Sequence, residues 1–87
     1  MSTTLERLRE LLIRDFGIAR EALEPRATLE SLDIDSLRMI EIVFCVEEEF
    51  AIAVDADAAE LKARLATFGD LAAYIDELAA ATPRSAA

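Results

Sequence analysis

The sequence predicts an all-α fold, a four-helix bundle with a long first loop and a short third helix, and three observations predict it. Only two glycines and two prolines punctuate 87 residues, while the strong helix formers Ala, Leu and Glu are common throughout. Apolar residues recur at intervals of three and four in separate segments, the period of a helix with a buried face. Thr-x-x-acid pairs head two of these segments, where the first backbone N–H groups of a helix need acceptors. The length fits one domain, and with 54% hydrophobic residues it can bury a small core.

Thr3-x-x-Glu6 is a capping box, and Leu5, Leu8, Leu12 and Phe16 follow at helical spacing up to Gly17, so a first helix spans about residues 4–16. Residues 17–35 form a long connection. Pro25, Thr28 and Ser31 interrupt any period there, while Ile18, Leu23, Leu29, Leu32 and Ile34 recur irregularly, as in a loop pinned across the bundle by its own side chains. Asp35 is a favourable N-cap for a second helix that starts at Asp35 or Ser36 and runs to about Phe50, although Arg38 at the N3 position denies it a capping-box partner. Asp55 and Asp57 serve as turn or cap residues, and Ala59, Leu61 and Leu65 anchor a short third helix near 57–64. Thr67-x-x-Asp70 caps a last helix carrying Leu71, Tyr74, Ile75 and Leu78. Residues 79–87, broken by Pro83, are expected to be a disordered tail, which leaves 1–78 as the domain.

The charge of −9 is local. Residues 30–60 hold ten acids against one base, Arg38, whereas residues 1–29 balance five with five and residues 61–87 three with three. An acidic chain without clustered Lys and Arg is unsuited to nucleic acid and to anionic membranes. The N-terminus lacks a basic region followed by an apolar run, no stretch approaches the length of a membrane span, and a single cysteine makes no internal disulfide. These features predict a soluble, cytoplasmic, monomeric protein.

The second helix has more apolar residues than one core face requires. At roughly 100° per residue from Leu37, the residues Met39, Ile42, Val43, Val46 and Phe50 fall within one arc of about 140–240°, a core stripe. Leu37, Ile40 and Phe44 fall within a second arc of about 300–360°, beside Glu41 and Glu48. Burying Glu41, Glu47, Glu48 and Glu49 unpaired is costly, so part of this surround faces water. The second stripe is either covered by the long loop, with the helix central and buried on most sides, or left exposed as an apolar strip with a carboxylate rim, the form of a transient protein interface to which the charge steers basic partners.

Ser36 heads this helix. The chain has no histidine, and Lys62, the one side-chain amine, is distant in sequence, so Ser36 is a poor nucleophile on its own and better suited as another enzyme's substrate. The free N–H groups and positive dipole end at a helix N-terminus favour a phosphate ester there. The plainer alternative is that Ser36 merely caps the helix.

The run Leu32-Asp33-Ile34-Asp35-Ser36-Leu37, continued by Ile40-Glu41-Ile42-Val43 and Val46-Glu47-Glu48-Glu49-Phe50, strongly resembles the acyl carrier proteins. The resemblance extends through residues 51–54 and 67–71 to Tyr74-Ile75 and covers about residues 5–78. It implies that Ser36, flanked by Asp35 and Leu37, is esterified with 4′-phosphopantetheine, supplied from coenzyme A by a phosphopantetheinyl transferase. The arm's thiol would carry acyl groups as thioesters for fatty-acid or related lipid synthesis. The resemblance further implies that Leu37, Arg38, Ile40, Glu41, Phe44, Glu47 and Glu48 contact acyl-loading and acyl-processing enzymes through their basic docking patches, with no catalytic residue and no metal in the carrier itself. Three departures point to a specialised pathway. Asp33 stands where the family often has Gly, Arg38 where it commonly has an acidic or neutral residue, and the 51–66 segment is a little longer.

Other residues carry less. Cys45, near 80° on the wheel, is expected to be inert and partly buried. Asp33/Asp35 and Asp55/Asp57 lack the glycine and glutamate of an EF-hand loop. Arg38 is spaced to pair with Glu41. The residues leave two rival functions open: a discrete carrier for polyketide, peptide or amino-acid thioesters, and an acidic helical interaction module without a prosthetic group. A Ser36→Ala change separates carrier from module, because only the carrier loses function.

Overall fold

The computed structural model describes residues 3–81 and is all-helical, with α1 over Thr3–Phe16, α2 over Ser36–Phe50, α3 over Ala58–Arg64 and α4 over Phe68–Ala81. α1 packs chiefly on α4 and α2 on α3. The side chain of Thr3, and so the cap expected there, lies outside the described residues. α1 ends as its sequence predicts: Gly17 takes φ 67° and donates to Ile13 O at 3.2 Å, closing the last turn in the left-handed region that glycine enters without strain. α4 continues to Ala81, three residues into the stretch expected to be tail, because Ala79–Ala81 are strong helix formers with no breaker before Pro83. Residues 82–87, the rest of that expected tail, lie outside the described ones.

The core is a single apolar cluster. Leu8, Leu11 and Leu12 enter it from α1, Met39, Ile42 and Val46 from α2, Leu61 from α3, and Phe68, Leu71 and Ile75 from α4. The long loop belongs to this core. Leu23, Leu29, Leu32 and Ile34 are buried and pin it across the bundle, and a 3-10 turn, Arg20–Ala22, lies within it.

Backbone hydrogen bonds stitch the same loop to the start of α4. Leu29 N–H donates to Ala66 O (3.0 Å), Phe68 N–H to Ala27 O (2.8 Å) and Gly69 N–H to Pro25 O (2.9 Å), around an isolated antiparallel bridge between Thr28 and Thr67. Two N–H groups that α4 itself cannot satisfy are thereby paired. The predicted capping box completes this end: Asp70 N–H donates to Thr67 Oγ1, and Thr67 N–H donates to Asp70 Oδ2, both at 3.1 Å.

At its far end α2 is clamped to α1. Arg7 donates to Glu49 O at 2.7 Å, approaches the Glu49 carboxylate at 3.5 Å, and stacks over the Phe50 ring at 4.4 Å. A base on a carbonyl at a helix C-terminus meets the negative end of the helix dipole. The helix then stops at Ala51, which takes the left-handed conformation (φ 55°) without being glycine.

Candidate functional site: the head and open face of α2

The turn into α2 is built by two aspartates. Asp33 adopts φ 61°, the left-handed conformation its short polar side chain tolerates, and so reverses the chain where glycine is the usual choice. Ile34 then plugs the core and its N–H donates to Leu29 O at 3.0 Å, fixing the segment before the helix. Asp35 is the N-cap, with Oδ1 accepting from Arg38 N–H at 2.8 Å. Ser36 is therefore the first residue inside the helix rather than its cap, which removes the plainer reading of this serine.

Ser36 is exposed, and among the described residues none hydrogen-bonds its hydroxyl. The N–H groups of Ser36 and Leu37 have no acceptor inside the helix and mark its positive end. An exposed hydroxyl beside such donors fits a phosphodiester: the helix end favours an anion, and the hydroxyl faces water. Next to this turn lies a shallow dent bordered by Phe16, Ile18, Ser31, Leu32, Asp33 and Arg38.

The two stripes of α2 part as the wheel predicts. Met39, Ile42 and Val46 are buried, with Val43 and Phe50 packed partly against the core, while Leu37, Ile40 and Phe44 keep 68%, 43% and 66% of their surface in water. The acidic residues around this strip do not act alike. Glu47 is half-buried and its Oε2 accepts from Val54 N–H at 2.8 Å, tying down the loop after α2. Glu49 turns to α1, where its carboxylate meets Arg7 at 3.5 Å and Arg14 at 3.6 Å. Glu48 is exposed, and Glu41 lies 3.8 Å from the guanidinium of Arg38. That guanidinium also stands over the Phe16 ring at 5.7 Å.

Of the site residues predicted from sequence, Asp35, Ser36, Leu37, Ile40, Glu41, Phe44 and Glu48 are exposed and Arg38 is half-buried, whereas Glu47 is engaged with the chain itself. Its position on the far edge of the strip, pointing toward the Val54 backbone, was foreshadowed only by its wheel angle of about 280°. Cys45 is half-buried as expected, and burial, with Asp15 and Glu48 adding negative charge nearby, pushes its thiol pKa up. Among the described residues no helix is long and apolar enough to cross a membrane.

Known proteins resemble this chain in sequence. The family model described as the phosphopantetheine attachment site matches residues 6–75. The chain is 35% identical over 78 residues to a protein of Zymomonas mobilis named acyl carrier protein, an alignment covering 88% of this chain and 96% of that one. The prosthetic group of such proteins is covalently attached 4′-phosphopantetheine, and they are carriers rather than enzymes. By sequence, by its four-helix architecture and by the exposed serine at the head of α2, the chain belongs to the acyl carrier protein family.

Proposed function

We propose that Ser36 is the residue that takes the phosphopantetheine and that the open face of α2 receives the enzymes which load and process the cargo. The single observation carrying this is the division of labour at the helix head: Asp35 supplies the cap, leaving the Ser36 hydroxyl exposed and without a partner among the described residues. The bound group supplies a terminal thiol on which acyl chains are held as thioesters. The protein's own part is to hold the attachment atom at an anion-favouring helix end and to offer Leu37, Ile40 and Phe44 as apolar contacts. A tether of this kind raises the effective concentration of cargo at each docked enzyme. The partners are a phosphopantetheinyl transferase and enzymes of fatty-acid or related lipid synthesis, met by a cytoplasmic, monomeric carrier. Arg38, the one base between residues 30 and 60, favours a dedicated pathway over a general one.

The test is intact-mass measurement after incubation with coenzyme A and a broad-specificity phosphopantetheinyl transferase, with Ser36→Ala alongside. A gain of one phosphopantetheine that the variant lacks supports the assignment. An equal gain on the variant, or no gain on the folded native chain with several transferases, overturns it.

A further inference from the structure

We propose that Arg38 gives the docking face of α2 a charge order, so that it fits a partner surface with a carboxylate opposite Arg38 and bases opposite Glu41 and Glu48, and disfavours a uniformly basic one. This rests on the reading of α2 as the docking face.

The acids of α2 are not equally available. Glu47 is held by the Val54 N–H and Glu49 by Arg7 and Arg14, which leaves Glu41 and Glu48 to meet a partner. Both lie on the α1-facing edge of the apolar strip, at about 20–40° on the wheel, and Arg38 stands further round toward α1, at about 100°, on the Ser36 side of them. With a rise of about 1.5 Å per residue, the order along the helix axis is one positive group, a negative group about 4.5 Å further on, and a second about 10.5 Å beyond it.

Arg38 is also fixed and still exchangeable. Its guanidinium stands over Phe16, which places the charge on the α1 side of the strip. Its contact with Glu41 is 3.8 Å long with the two side chains 43% and 57% exposed, a solvated pair of little strength. A partner carboxylate can take Arg38, and a partner base can take the Glu41 it releases. A uniformly basic surface instead meets a like charge beside the attachment serine and finds Glu41 already shared.

The probe is a phosphopantetheinyl transferase with a basic docking surface, with kcat and KM for the carrier measured at low and high NaCl. Arg38→Glu is expected to lower KM about tenfold at low salt, to leave kcat unchanged within about twofold, and to lose most of this gain at high salt. Reversing the transferase's basic residues singly to Glu should identify one position where loading of the native carrier improves while loading of Arg38→Glu worsens. If Arg38→Glu leaves KM unchanged while Glu48→Gln and Leu37→Ala raise it, the face docks and Arg38 is a bystander, which overturns the proposal alone. If none of the three variants moves KM, α2 is not the docking face and both readings fall. Thermal melting of Arg38→Glu by circular dichroism, expected to match the native protein, verifies the fold.

Discussion

Met39 and Leu37 lie two residues apart on α2, and truncating each to Ala should separate folding from docking. Met39 is fully buried, and emptying such a site costs about 2–5 kcal/mol. For a domain of this size, with total stability of about 4–12 kcal/mol, that is a large share. Leu37 is already 68% exposed, so about a third of a burial worth roughly 2 kcal/mol is at stake, and the better helix propensity of Ala returns part of it. Phe44, 66% exposed, behaves the same way. The net loss for either is under about 1 kcal/mol. Docking reverses the order. If a partner covers the remaining two-thirds of each side chain, truncation costs about 1–2 kcal/mol of association, or about 5–30-fold in KM. Urea denaturation followed at 222 nm gives the first set of numbers and transferase kinetics the second. Leu37→Ala or Phe44→Ala variants as unstable as Met39→Ala would refute the exposed strip, and stable variants with native KM would refute its use.

Three further outcomes follow from the backbone and from Cys45. Ala51→Gly should stabilise the protein by about 0.5–1 kcal/mol and raise Tm by about 3–6 °C, because an L side chain in the left-handed region is strained by more than glycine's extra chain entropy; an unchanged or lower Tm contradicts this. Gly69→Ala should do the opposite, losing about 1–2 kcal/mol in urea denaturation despite the better helix propensity of Ala, since its Cβ would sit 2.9 Å from the fixed Pro25 carbonyl oxygen. Cys45, with its thiol pKa raised by burial, should react with iodoacetamide at pH 7.5 more slowly than an unhindered thiol, and its rate should go on rising with pH after that of the free thiol has levelled off; mass-resolved alkylation time courses measure this.

What the sequence made legible was periodicity and capping. The two stripes of α2 separate on sequence spacing alone, because a 3.6-residue period assigns each side chain an angle, and Leu37, Ile40 and Phe44 are indeed the exposed ones. Asp35, Asp57 and Thr67 announced helix starts because their side chains do the capping. The stitching of residues 25–29 to residues 66–69 could not be read, since every residue type carries the same backbone C=O and every one but proline the same N–H. The commitments of Glu47 to Val54 and of Glu49 to α1 were likewise hidden: their wheel angles give a direction, but the partner waiting there comes from a different part of the chain. Ala51 gave no warning of a left-handed cap because glycine or asparagine is the residue that normally marks one.

The stitch between the loop and α4 also sets an order of events during synthesis. The loop that leads into Ser36 finds its backbone acceptors and donors in residues 66–69, some forty positions after the atoms they hold. Closing so long a loop is an entropic cost that is met only when both ends exist and the core around Phe68 can form. A nascent chain that has made α2 but not yet α4 therefore carries the loop before Ser36 without these backbone partners. The turn into α2 gains these backbone partners only once residues 66–69 are available to it.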